Sequence, residues 1–470
     1  MLLERSHLGV VSLLRDSRIR RTNPPDFDVC AHLDEDVRNQ EECGLLEKGL
    51  ALAIFLLTYT LLITRKTKPV IAVWGGAFAL LALGVISPAE AAQSINLNVL
   101  GIFAGTMVLS ALFVRSKVPA YLAAAVVSRS RSSAGAMLAV CVLSGAVSAV
   151  VDNVATVLMI VPIAIEVSKR LQVRPAPFLI GIAVSANLEG VATMIGDSTS
   201  ILLAEAAGMD FVDFFWTKGR PGIFFVVQLA AVAAFLVLRK IYRQNRGNAV
   251  PMEPVSVTSW VPAVLMGSMV VSMAVSGFVT ERPSWTTGAI AMVFAFLAVT
   301  WHCVTLRKAV GSAPTLNLRD LDWQTALFLC GLFVLVGSLT STGIVNDIAD
   351  LISRSTRGNP ILAYAVIVWG SVLVSAFVDN IPYAMAMLPV ARLVATSCGV
   401  SPYLMMYGLS LGTTLGGNIT PFGAAANVVA VSLLRREGYD VTFKEFARIG
   451  LPFTVTAVLA GSLLNWVLWR

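Results

Sequence analysis

The sequence predicts an all-α polytopic membrane protein made of two inverted-topology repeats of five spans each. Three observations predict it. The chain has 470 residues, of which 56% are hydrophobic and only 13% charged, with a mean hydropathy of +0.77. A soluble chain carries about 25% charged residues, so a water-facing surface of this size cannot be covered. From Gly49 onward, apolar runs alternate with short basic connectors. The second half of the chain then repeats the segment order of the first. A soluble enzyme, a disordered chain and a nucleic-acid binder are excluded on these grounds. Six cysteines show no CxxC or metal-ligand spacing, so no disulfide framework is implied.

Residues 1–48 stand apart. They hold seven basic and ten acidic residues with little periodicity, which predicts a disordered N-terminal tail. Cys30, His32 and Cys43 in this tail do not make a metal site. The spans follow at 49–63, 69–86, 97–114, 176–207, 221–242, 258–280, 287–308, 323–342, 402–434 and 451–468. They fall into a first repeat over 49–242, a cytoplasmic linker over 243–257 and a second repeat over 258–470. Two further apolar stretches, 134–170 and 361–397, carry Asp152-Asn153 and Asp379-Asn380 at their centres. A charge in the middle of a lipid-facing helix costs at least about 2.5–3.5 kcal/mol. A re-entrant hairpin avoids that cost by placing the pair at a tip inside protein or a wet cavity.

Charge supports this span count. One face collects 21 Lys and Arg, from the connectors at Arg65, Arg115, Lys169, Arg239, Arg307 and Arg435, and the other face collects seven. The positive-inside rule makes the basic connectors cytoplasmic. It explains the net charge of +7 without nucleic acid. An integral protein of the cell's inner or plasma membrane is expected, with the lipid bilayer as its main partner.

The repeat is visible residue by residue. An offset of 227 superposes Asp152-Asn153 on Asp379-Asn380, and Gly181, Leu188, Gly190, Thr193 and Gly196 on Gly408, Leu415, Gly417, Thr420 and Gly423. Each unit contains three spans, an amphipathic piece (118–128, 344–355), a hairpin, an interrupted span and a final span. Five crossings are an odd number, so the second unit is inverted. Inverted repeats with interrupted helices at mid-membrane are the architecture of secondary transporters.

The interrupted spans carry the chemistry. Gly190, Gly196, Gly416, Gly417 and Gly423 weaken the helix, and Pro421 removes a donor. Oxygens of Thr193, Ser198, Thr199, Asn418, Thr420 and Asn427 lie beside these breaks, material suited to a hard cation. Single glycines of this kind also serve close helix packing, but two clusters at matching positions favour a binding role. The acids at membrane depth are Asp152, Glu189, Asp197 and Asp379. The two tip aspartates also suit helix capping. Asp197 and Glu189 match Ala424 and Gly416, so no symmetric structural need explains them. The substrate and ion site is therefore placed at Asp152, Asn153, Thr156, Glu189, Thr193, Gly196, Asp197, Ser198, Thr199, Asp379, Asn380, Asn418, Thr420 and Asn427. Na⁺ is expected at Asn153, Thr193, Asp197, Asn380 and Thr420. No catalytic residue and no cofactor beyond Na⁺ or H⁺ as coupling ion is expected. His302, beside Trp301 at a span end, suits the membrane boundary.

At these residues the chain resembles the ion transporter superfamily, in its arsenite permease, NhaD-type antiporter and citrate-transporter-like branch, which includes the melanosomal P protein. The resemblance covers about residues 49–470. It is carried most specifically by Ser375-Ala-Phe-Val-Asp-Asn-Ile-Pro382, Leu415-Gly-Gly-Asn418 and Ile195-Gly-Asp197. It implies a scaffold plus an elevator-type transport domain holding both hairpins and both broken helices, with homodimer contacts through the scaffold. Dicarboxylate carriers place Ser-Asn-Thr at the tips, where this chain has Asp-Asn-Val and Asp-Asn-Ile. The expected function is secondary transport of a small ion, an anion of carboxylate or arsenite type, coupled to Na⁺ or H⁺. Na⁺/H⁺ antiport is the alternative. An intramembrane aspartyl protease is more remote, because Met194-Ile-Gly-Asp197 lacks the first glycine of Gly-x-Gly-Asp. A channel would share the composition but would need no mobile hairpins.

Overall fold

The computed structural model describes residues 27–244, 255–279, 281–308 and 321–470. Among them are 19 α-helices and one two-residue β-ribbon, Trp216–Thr217 with Arg220–Pro221. Residues 50–470 form one compact unit and the residues up to Gly49 a separate one.

Residues 1–26 of the expected disordered tail lie outside the described residues, and residues 27–48 differ from expectation. Helix α1 runs from Phe27 to Thr64, so residues 27–48 are helical rather than disordered. The stretch Asp34–Glu42 is charged but rich in good helix formers, and the apolar span after it supplies the nucleus that an isolated segment would lack. The side chains of Cys30, His32 and Cys43, and most of the 243–257 linker, lie outside the described residues.

The first half continues with α2 (Pro69–Ala82), which stops short of the expected 86. Gly84 takes a left-handed φ of 74°, and the amides of Leu83, Gly84 and Val85 bond back into the last turn. A seven-residue helix, α3 (Pro88–Ser94), then begins with a capping box between Ser87 and Glu90. Next come α4 (Leu97–Arg115), α5 (Val118–Arg129), α6 (Ser133–Ser148), α7 (Asn153–Arg170), α8 (Pro175–Gly190), α9 (Ser198–Ala207) and α10 (Ile223–Tyr242). The second half comprises α11 (Val261–Ser276), α12 (Thr286–Lys308), α13 (Trp323–Ser341), α14 (Ile344–Ser355), α15 (Pro360–Ser375), α16 (Asn380–Ser397), α17 (Pro402–Gly416), α18 (Ala425–Arg436) and α19 (Phe443–Trp469). The chain therefore breaks at both expected hairpin tips and inside both expected interrupted spans.

Helix bounds recur along the chain. Shifted by 226, α4 and α5 coincide with α13 and α14; shifted by 227, α6 and α7 coincide with α15 and α16 at both ends. The left-handed turns recur too, with Lys117 and Gln172 (φ 59° and 53°) where the second half has Gly343 and Gly399 (φ 79° and 65°).

Among the described residues, six helices could cross a membrane by length and composition: Gly44–Thr64, Leu97–Arg115, Ile223–Tyr242, Thr286–Thr305, Trp323–Ser341 and Phe443–Trp469. Packing separates two groups. α4 lies directly on α12, where a Cβ on Gly101 would stand 3.1 Å from Gly288 Cα. There Asn98 Oδ1 accepts from Thr287 Oγ1 (3.0 Å) and from the Gly288 amide (2.7 Å). α13 lies on α2, with Trp74 Nε1 donating to the Leu327 carbonyl (2.9 Å). The tips and broken helices pack among themselves and on α10 and α19.

Candidate functional site

Four helices begin around one cavity of about 430 Å³. They are α7, α9, α16 and α18, the outgoing helices of the two tips and the two breaks. Each presents its first residues to the cavity, at Asp152–Ala155, Gly196–Ser198, Asp379–Ile381 and Ala424–Ala426. The facing wall is one side of α4, from Phe103 to Arg115, completed by Asp322 and Thr325 at the start of α13.

The breaks are held open by matched bonds. Thr193 donates its hydroxyl to the Ala149 carbonyl, and Thr420 donates to the Ala376 carbonyl (2.6 Å). Ser200 and Asn427, also equivalent, donate to the carbonyls of Gly190 (3.0 Å), the last residue of α8, and Gly417 (2.9 Å), the first residue after α17. Gly196 passes so close to the carbonyls of Gly190 and Ser148 that a Cβ would stand 2.6 and 2.7 Å from them. Only glycine fits there. Gly423 sits in the same way against Gly417 and Ala376.

The carboxylates differ in what they do. Asp152 caps α7, accepting from the amides of Val154 (2.9 Å) and Ala155 (3.2 Å). Asp379 caps α16 through the amide of Ile381 (3.2 Å). Asp197 also stands at the start of its helix but makes no side-chain cap bond. Its Oδ2 accepts instead from Thr199 Oγ1 (2.7 Å) and Asn380 Nδ2 (3.4 Å). Glu189 lies elsewhere. It is buried against Gly145 and accepts from Gln228 Nε2 of α10 (2.7 Å), outside the cavity lining.

Of the residues expected at the site, Asp152, Asn153, Gly196, Asp197, Ser198, Asp379 and Asn380 line the cavity. Thr193, Thr199, Thr420, Asn418 and Asn427 stand behind it and hold the breaks or one another. Thr156 is buried behind the first tip, its hydroxyl 3.4 Å from the Val151 carbonyl. Of the five residues expected to bind Na⁺, Asn153, Asp197 and Asn380 border the cavity, whereas the hydroxyls of Thr193 and Thr420 are already given to carbonyls.

The lining residues that were not anticipated include Asn187, Arg115 and Asp322. Asn187 precedes the first break and links across to Asn418 (2.7 Å) and Asn427 (3.1 Å). Arg115, the sole Lys or Arg in the lining, and Asp322 stand at helix ends far from the breaks in sequence. Asn187 falls three residues before the end of α8 at Gly190 and shares no identity with its equivalent, Thr414; its amide near Glu189 was the only available signal. Among the described residues, no three His, Cys, Asp or Glu side chains close on one metal position.

A sequence family described as citrate transporter matches residues 59–407. An uncharacterised transporter of Mycobacterium tuberculosis is 30% identical over 434 residues, covering 89% of this chain and 98% of its own. The P protein of Mus musculus is 26% identical over 496 residues, covering 87% of this chain and 59% of its own. Among solved structures, the Alcanivorax borkumensis YdaH transporter, reported to have an unusual topology, is similar with a TM-score of 0.53 at 15% identity over 90% of this chain and 97% of that one. Neisseria gonorrhoeae MtrF, described among antimetabolite efflux pumps, has a TM-score of 0.50 at 14% identity, with 84% of each chain covered.

Proposed function

The chain belongs to the citrate transporter (CitMHS) family and is an integral membrane transporter, and from that premise we propose that it is a secondary active carrier of a small anion coupled to Na⁺ or H⁺. The convergence on one cavity of the four helix N-termini at the tips and breaks with the carboxylates of Asp152, Asp197 and Asp379 carries this reading. Each N-terminus contributes roughly +0.5 charge. With the start of α13 the N-termini sum to about +2.5, and Arg115 adds +1 against −4 from Asp152, Asp197, Asp322 and Asp379 when ionised, leaving the cavity slightly negative. An anion entering alone meets net repulsion. A cation entering first neutralises the site and leaves the helix amides to receive the anion. Ordered binding of this kind is what couples two fluxes. Asp197 is the carboxylate best suited to the coupling ion, because its oxygens are not used to cap a helix.

The recurring helix bounds support an inverted repeat, and the grouping of α4, α12, α2 and α13 apart from the tips supports a scaffold facing a moving transport unit. The three carboxylates favour a second reading, Na⁺/H⁺ antiport without an anion. Proteoliposomes given separate Na⁺ and pH gradients distinguish the two. Gradient-driven uptake of a labelled carboxylate or arsenite is the expected outcome. Proton flux driven by Na⁺ with no anion present would replace it with antiport, and peptide cleavage lost on Asp197→Asn would overturn both.

A further inference from the structure

An ion pair joins the two groups of helices at the end of the molecule away from the cavity mouth. α4 fixes the direction. Its last residue, Arg115, borders the cavity together with the exposed Asp322, so the cavity meets the surface at that end. The first turn of α4 lies roughly 27 Å away by the helix rise. There Asn98 holds Thr287 and Gly288 at the start of α12. Arg282, in the connector that leads into α12, therefore stands at the end opposite Arg115. α9 begins at the cavity with Ser198 and carries the other group to the same place.

Arg282 pairs with Asp210, in the turn that follows α9. Their side chains are 17% and 31% exposed, so water only partly screens the pair. Each partner is braced within its own group. Arg282 also donates to Ser276 Oγ at the end of α11 (3.1 Å), and α11 packs on α12. The Asp210 amide donates to Asp213 Oδ2 (2.8 Å), and Met209 Sδ accepts from the Tyr407 hydroxyl of α17 (3.6 Å). An apolar contact lies alongside. A Cβ on Gly277 would stand 3.6 Å from Val212 Cβ. A partly desolvated charge whose partner is withdrawn keeps its desolvation cost and loses the attraction that offset it. The pair therefore favours the arrangement in which this end is shut.

We infer that Asp210 and Arg282 are positioning residues of the transport cycle, whose pairing closes the end opposite Arg115 and breaks each time the cavity opens there. The inference rests on the secondary-carrier reading and extends it from what binds to which end is open. Alternating access requires the shut end to open in turn. Both residues lie outside the cavity lining, so they act on access and not on the bound ion. The tie runs between the groups and is not part of the packing within either one.

A reversible cross-link tests the separation. Val212→Cys with Gly277→Cys is made in a chain whose six native cysteines are replaced by alanine. The Cβ spacing of 3.6 Å suits a disulfide, and Gly277, with φ −64°, accepts a side chain. Oxidation is expected to stop gradient-driven uptake in proteoliposomes. Reductant is expected to restore it, which also establishes that the variant is folded. Uptake that continues through the cross-linked protein overturns the inference and leaves the carrier reading standing. Arg282→Gln and Asp210→Asn test the charge, with Ala111→Cys in the cavity lining as reporter. A membrane-impermeant maleimide is applied at each membrane face in turn. Either substitution is expected to raise labelling from the Asp210 face, relative to the Arg115 face, by roughly two- to fivefold. Exchanging the charges, Asp210→Arg with Arg282→Asp, is expected to bring the ratio back, which loss of structure would not do. A ratio unmoved by either single substitution overturns the inference. A ratio that follows the pair in a protein without gradient-driven uptake supports the tie and removes the carrier reading.

Discussion

Asn380 at the second tip donates its side-chain amide to Asp197 at the first break, 183 residues away, over 3.4 Å. The two halves are thus tied across the cavity at the carboxylate assigned to the coupling ion. Asn380→Ala removes this donor from a largely buried position. We expect apparent cation affinity to change by several-fold, with the size depending on how far the bond is kept in the loaded state. Cation-dependence curves of uptake measure it.

The tip aspartates combine a structural role with a charge, and the two separate by substitution. Asparagine caps helices about as well as aspartate, so Asp152→Asn and Asp379→Asn should alter stability by less than about 0.5 kcal/mol. Each nevertheless removes one charge from the cavity. Unfolding temperature in detergent should hold while cation-coupled transport falls. Loss of folding in both would assign these residues to capping alone.

The hydroxyls of Thr193 and Thr420 satisfy the carbonyls of Ala149 and Ala376 in buried surroundings. Threonine to valine keeps volume and β-branching but leaves the carbonyl without its donor, at a cost of about 1–3 kcal/mol. Thr193→Val and Thr420→Val should lower the unfolding temperature by similar amounts, since the two bonds occupy equivalent places. A clear inequality would show that the breaks are not mechanically alike.

Lys117 and Gln172 adopt left-handed backbone where their counterparts are Gly343 and Gly399. A side chain there costs roughly 1–2 kcal/mol, partly offset by the greater freedom glycine has when unfolded. Lys117→Gly and Gln172→Gly should therefore be neutral to stabilising, by up to about 1 kcal/mol. The reverse change, Gly343→Lys or Gly399→Gln, should destabilise. Thermal unfolding of all four reads the sign.

Much of this architecture is written in the sequence, because a membrane punishes misplaced polarity severely enough to leave a pattern. Asp152 and Asp379 inside apolar stretches mark both tips, and Gly190, Gly196, Gly417 and Gly423 mark both breaks. Residues 27–48 were less legible, since their helix extends a span and is signalled by no hydrophobic periodicity. The short helix Pro88–Ser94 depends on a local capping box rather than on burial. At the site, Arg115 and Asp322 reach the cavity from the ends of helices whose tertiary placement has no local signature. Asn187 gains its meaning only from Asn418 and Asn427, 231 and 240 residues away.

The coincidence of helix bounds has one interruption. Three residues, 130–132, join α5 to α6, whereas four residues, 356–359, join α14 to α15. From residue 97 to 170, this single extra residue is the whole difference in length between the halves. It falls where the chain leaves the α4–α5 or α13–α14 segment and enters a tip. Rigid packing on either side fixes helix length to the residue, while the joint between them tolerates slack. If the two groups of helices slide past one another, these short connectors are where the displacement is taken up.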